Sequence, residues 1–152
     1  MKRTAGLLLP FLLLVGGACK KAEPPPTPPP ETLPPVTMAP APSVLNVALG
    51  SEVGADKRIS APKDVFGAKD TIYASVETAG TGRVKLRALW SFVKGEKTAK
   101  VDETVLEFES AGPAVNEFHV SKPSGWPRGD YKVDVFLGES ATPAASKAFK
   151  VG

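Results

Sequence analysis

Between Arg83 and Phe92 every second residue is apolar: Val84, Leu86, Ala88, Trp90 and Phe92 stand against Arg83, Lys85, Arg87 and Ser91. Successive side chains of a β-strand point to opposite faces, so this period fits a strand, whereas a helical stripe repeats about every 3.6 residues. One face of such a strand is buried and the other is wet, which demands a second layer to cover the apolar side. Shorter runs repeat the pattern. Leu45, Val47 and Leu49 alternate before Gly50, and Ile72, Ala74 and Val76 alternate against Tyr73, Ser75 and Glu77. Val105-Leu106-Glu107-Phe108 precedes a break at Ala111-Gly112-Pro113, and Phe118 with Val120 marks another strand. Tyr131, Val133, Val135 and Leu137 run up to Gly138, and Phe149 with Val151 ends the series. Lys94-Gly95-Glu96 reads as the turn after the longest run. No segment carries a helical apolar stripe over three turns. About seven short strands with turn signals roughly every 8–12 residues predict an all-β fold, a single antiparallel β-sandwich over residues 44–152.

The residues before that domain cannot join it. Ten of the sixteen prolines fall between Pro24 and Pro42, while residues 44–152 hold only five. Proline fixes φ and lacks a backbone donor, so residues 19–43 predict a disordered, extended linker of polyproline II character. At about 3.1 Å per residue, Lys20 to Ser43 spans up to roughly 75 Å. Further upstream, Met1-Lys2-Arg3 is a positive start to an uncharged run from Thr4 to Ala18, with Leu7-Leu8-Leu9 and Phe11-Leu12-Leu13-Leu14-Val15 at its centre. The run is shorter than the about 20 apolar residues of a membrane-spanning helix, carries Pro10 and ends in small residues. Residues 1–18 therefore read as a secretory signal peptide.

Charge narrows the field of partners. The chain has 19 basic and 16 acidic residues, a formal +3. Without Lys2 and Arg3 the excess is +1, since 17 basic residues then face 16 acidic ones. A near-neutral domain lacks the basic footprint of a nucleic-acid binder, so no nucleic-acid partner is expected.

Gly16-Gly17-Ala18 sit directly before Cys19, the one cysteine in the sequence. Here the chain resembles the lipobox of bacterial lipoproteins, in which a small residue precedes a cysteine that becomes the lipidated mature N-terminus. The family favours Leu at the third position before the cysteine, where this chain has Gly16 with Val15 one step earlier. The resemblance implies a diacylglyceryl group and an amide-linked acyl chain on Cys19, which makes the membrane a partner. Stable attachment takes more than one acyl chain, and this anchor exceeds that threshold. Lys20 follows the cysteine where an aspartate would signal inner-membrane retention, so the family rule implies the outer membrane of a bacterial envelope. The domain in turn resembles immunoglobulin-like and fibronectin III-like sandwiches. Trp90 stands where such folds place a core tryptophan, and Pro127-Arg128-Gly129-Asp130-Tyr131 looks like their P-x-G-x-Y approach to the penultimate strand. The resemblance implies that Tyr131 packs inward and that its hydroxyl caps a nearby backbone group.

Sites for chemistry are sparse in this sequence. One histidine, His119, excludes a multi-histidine metal centre, and its alternation with Phe118 and Val120 turns it outward. Asp102, Glu103, Glu107 and Glu109 form an acidic stretch without calcium-loop spacing. There is no phosphate-binding glycine loop and no nucleophile–base pairing, so neither a cofactor nor an enzyme activity is expected. Two surfaces remain as binding candidates. Arg83, Lys85 and Arg87 share one strand face and Lys132 joins them if its strand is adjacent, which suits an anionic glycan or lipid headgroup. Trp126, between Pro123 and Pro127, is either an exposed hot spot or a plug on the end of the sandwich. The leading expectation is a non-catalytic module presented to another envelope component.

Overall fold

The computed structural model describes residues 39–152. The expected signal peptide, Cys19 and the expected linker up to Met38 lie outside the described residues. Every regular element is a strand: β1 (Ser43–Gly50), β2 (Val65–Phe66), β3 (Ile72–Ala79), β4 (Thr81–Lys94), β5 (Lys97–Ala111), β6 (Ala114–Val120), β7 (Gly129–Leu137) and β8 (Ala145–Val151). They form a three-stranded sheet, β1-β3-β6, and a five-stranded sheet, β2-β8-β7-β4-β5. All pairings are antiparallel except β2 with β8, which is parallel and two residues long. The second sheet is thus mixed, and the strand count rises to eight. Val65-Phe66 is too short to show alternation, so a sequence pattern could not reveal it.

Alternation dictates the core. Val84, Leu86, Ala88 and Trp90 on β4 are sealed from solvent, as are Val133 and Val135 on β7 and Ile72, Ala74 and Val76 on β3. These residues meet Leu49, Phe66, Phe118, Phe149 and Val151 in one apolar cluster fed by both sheets. Leu45 departs from its expected inward place and is 63% exposed. The β1–β3 register slips between Val44 and Asn46, so Leu45 is the extra residue of a bulge and Val44 packs on the core instead. A second slip on β5 sets Val101 and Asp102 against Trp90 and brings Val101 to the core edge. The β4–β5 hairpin closes on Gly95 and Glu96, with Gly95 at φ 60°, a left-handed conformation that glycine adopts without strain.

The end of the proline-rich segment belongs to the folded unit. Thr81 N donates to Pro40 O at 3.1 Å. A Cβ on Gly80 would lie 2.4 Å from Ala41 O, so only glycine lets this segment lie against the β3–β4 turn.

Tyr131 is 2% exposed and its hydroxyl donates to Pro127 O at 2.7 Å. Burial raises its phenol above the ordinary value of about 10. The stability that depends on the neutral phenol is therefore present in full below about pH 10 and declines as the pH rises through the folded-state value. Tyr131→Phe should cost about 1 kcal/mol at neutral pH, the typical net value of one hydrogen bond. Denaturant unfolding between pH 7 and about pH 11 should also show a smaller alkaline loss in the variant than in the parent chain.

Candidate functional site

Pairing of β4 with β5 on one side and β7 on the other assembles a charged outer face on the five-stranded sheet. Arg83, Lys85 and Arg87 project from it, with Lys132 on β7 opposite Ser91, four residues beyond Arg87. The face is not a free basic patch. Arg83 Nη2 lies 3.0 Å from Glu107 Oε2, and Arg87 Nη1 lies 3.5 Å from Glu103 Oε1. Lys85 bonds Glu139 and also approaches Glu107 at 3.9 Å. Lys132 Nζ lies 2.7 Å from Asp134 Oδ2, which accepts a further bond from Ser146 through its other oxygen at 2.5 Å. Arg87 also covers the Phe136 ring at 4.0 Å. The acidic stretch from Asp102 to Glu109 supplies much of this compensation, because antiparallel register sets Glu109 and Glu107 opposite Arg83 and Lys85. The hydrogen bond from Lys85 and its charge lower the Glu139 carboxyl below the usual range, and Glu139 raises the ammonium of Lys85.

Trp126 plugs the sandwich. It is 3% exposed, its indole N–H donates to Asp70 O at 2.9 Å, and its ring meets Tyr131 edge-on at 5.4 Å. The hot-spot alternative loses its exposed ring. Asp70 organises the same end. Its carboxylate accepts from Gly67 N at 2.9 Å and from Lys63 Nζ at 3.0 Å. The backbone bond from Gly67, followed by Lys63, lowers its pKa below the usual carboxylate value. A lowered carboxylate contributes stability above its unfolded value and loses that contribution as the pH falls. Asp70→Asn should therefore flatten the acid limb of unfolding midpoints measured from pH 6 down to about pH 2.

His119 faces outward on β6, with Nδ1 donating to Glu117 Oε1 at 2.7 Å and its ring 5.6 Å from Tyr73. Both partners follow from the lattice: Glu117 precedes it by two, and Tyr73 is its cross-strand neighbour.

Two concavities flank β8. A groove of about 810 Å³ runs along the outer face of the five-stranded sheet, floored by Val65, Val93 and Ala148. A second of about 290 Å³ lies between β1 and the segment before β2, lined by Asn46, Ala48 and Pro62 among others. Asp64 and Lys147 line both. Lys147 was not singled out above, although a signal existed. Ala145, Lys147, Phe149 and Val151 share one alternation, and a cation in that series is out of place.

No protein-family model matches the sequence, and no curated protein matches it either. Partial likenesses exist among solved structures. A beta-glucosidase from Listeria innocua in complex with glucose shares 10% identity over 76% of this chain and 16% of its own, at a TM-score of 0.49. The alkylpurine DNA glycosylase AlkC of Pseudomonas fluorescens shares 12% over 72% of this chain and 30% of its own, at 0.44. A beta-D-glucoside glucohydrolase from Trichoderma reesei shares 11% over 74% and 19%, at 0.45. This chain spans less than a third of the length of any of the three. Overlap of this extent assigns neither fold family nor activity to it.

Proposed function

We propose that this chain is a lipid-anchored protein of the bacterial envelope, most simply of the outer membrane, that presents a non-catalytic immunoglobulin-like domain to another envelope component. The observation that carries the reading is the placement of the one cysteine. Cys19 ends an apolar run after Gly17 and Ala18 and directly precedes the proline-rich residues. A lone thiol in an exported chain has no intrachain partner, and lipidation gives it a use. The residues between Cys19 and Pro40 then act as a stiff spacer between membrane and domain.

The immunoglobulin-like assignment is supported by the strand order β1-β3-β6 opposite β2-β8-β7-β4-β5. Trp90 at the centre of β4 and the Tyr131 to Pro127 bond at the start of β7 match the core tryptophan and tyrosine corner of such domains. A contact role suits a domain whose outward charges are mostly matched in pairs, because such a surface stays soluble without attracting any one kind of counter-charge. The pairing of Arg83, Lys85, Arg87 and Lys132 with carboxylates weighs against the anionic-ligand alternative.

Cys19→Ser tests the anchor. The variant should move from the membrane fraction to the soluble fraction while the domain keeps its unfolding midpoint. Retention of the variant in the membrane fraction would overturn the reading.

A further inference from the structure

The parallel partner of β8 stops short. Lys150 N donates to Asp64 O at 2.8 Å and Gly152 N to Phe66 O at 3.0 Å, so the even-numbered residues of β8 turn their backbone groups toward β2. Backbone polar groups alternate sides along a strand, so Ser146 and Ala148 point to the same edge. The β2 ladder covers only Lys150 and Val151, and among the described residues no backbone group pairs with Ser146 or Ala148 along that edge. On one side of the open stretch lies the outer groove of about 810 Å³, and on the other the smaller one of about 290 Å³ beside β1. A strand laid on the edge would send alternate side chains into these two spaces.

We propose that the edge of β8 over Ala145–Ala148 is a strand-addition site for an extended peptide of another protein, one that carries a carboxylate facing Lys147 and an apolar side chain facing Val65, Val93 and Ala148. The charge argument selects this occupant. Lys63, Lys132 and Lys150 around the two spaces are matched by Asp70, Asp134 and Asp130. Lys147 is half-buried, lines both spaces, and has no carboxylate within 4.0 Å among the described residues. Asp64 shares both linings but stays beyond that distance. An inward-turned cation on an edge strand rejects neutral and cationic strands, and a carboxylate converts that penalty into a pair. A second copy added antiparallel about this point would oppose Lys147 to Lys147, which is unfavourable. The chain's own Pro24–Pro42 run is a poor occupant because proline lacks the N–H that a ladder uses.

This site rests on the contact-module reading and names the surface that would serve it. The test uses the full chain in detergent with two blocked octapeptides, one alternating valine with glutamate and one alternating valine with lysine. The glutamate peptide should slow hydrogen exchange at the Ser146 and Ala148 amides by at least about tenfold and leave the β6 amides unchanged. Lys147→Glu should reverse the preference between the two peptides. Ala148→Pro removes the edge-facing donor at a position where proline is tolerated, and should abolish binding with the unfolding midpoint retained. Should that variant fail to fold, a glutamate peptide N-methylated along one edge replaces it and should not bind. Unchanged exchange at both amides under millimolar peptide, or affinity indifferent to Lys147→Glu, overturns the site. Self-association of the chain with no response to either peptide overturns it in favour of a second copy. Either failure leaves the membrane-release result of Cys19→Ser standing, so the two readings fail separately.

Discussion

Phe149 is the contact on which the domain depends. Its ring stacks on Tyr131 at 5.3 Å, meets Trp90 edge-on at 6.0 Å and meets Phe66 edge-on at 5.6 Å. These four residues come from β8, β7, β4 and β2, four of the five strands of one sheet. Trp126 and Phe92 extend the pile through Tyr131 at 5.4 and 5.0 Å. Aromatic pairs in these geometries contribute about 0.5–1.5 kcal/mol each beyond the area they bury. The pile also explains why β2 exists. Phe66 buries its ring against Phe149, and that anchorage holds Val65-Phe66 in a parallel ladder too short to persist alone.

The same anchorage leaves the neighbouring edge open. Phe66 fixes β2 opposite the C-terminal end of β8, and chain direction then carries Asp64 and Pro62 away toward β1, where Lys63 N bonds Leu49 O at 3.0 Å. The stretch Ala145–Ala148 is left flanked by two concavities and one unmatched ammonium. On the face of Arg83, Lys85 and Arg87, by contrast, charge is internally compensated. The difference between the two ends of the five-stranded sheet is one of bookkeeping among neighbours: β4 and β5 cross-pair their charges, while β8 over Ala145–Ala148 has a partner strand, β7, on one side only.

Much of this was legible in the residues. The alternation from Val84 to Phe92 located β4, its buried face and Trp90. The approach to β7 with Tyr131 was readable because a short motif carries its own geometry. Bulges were not, since each depends on register against a partner strand, as at Leu45 and Val101. The partners of the basic stripe were hidden for a related reason. Arg83, Lys85 and Arg87 are visible as a set in one strand, whereas their carboxylates come from β5 and from the loop residue Glu139, and only pairing brings them together. Lys147 was missed because its strand is short and its meaning lies in what β2 fails to cover.

The domain's role hangs on where the chain is held. The most direct measurement is the mass of the mature N-terminal peptide recovered from the membrane fraction. The account predicts a peptide that begins at Cys19 and carries a diacylglyceryl group and an amide-linked acyl chain. An unmodified Cys19, or a mature N-terminus at any other residue, would contradict it.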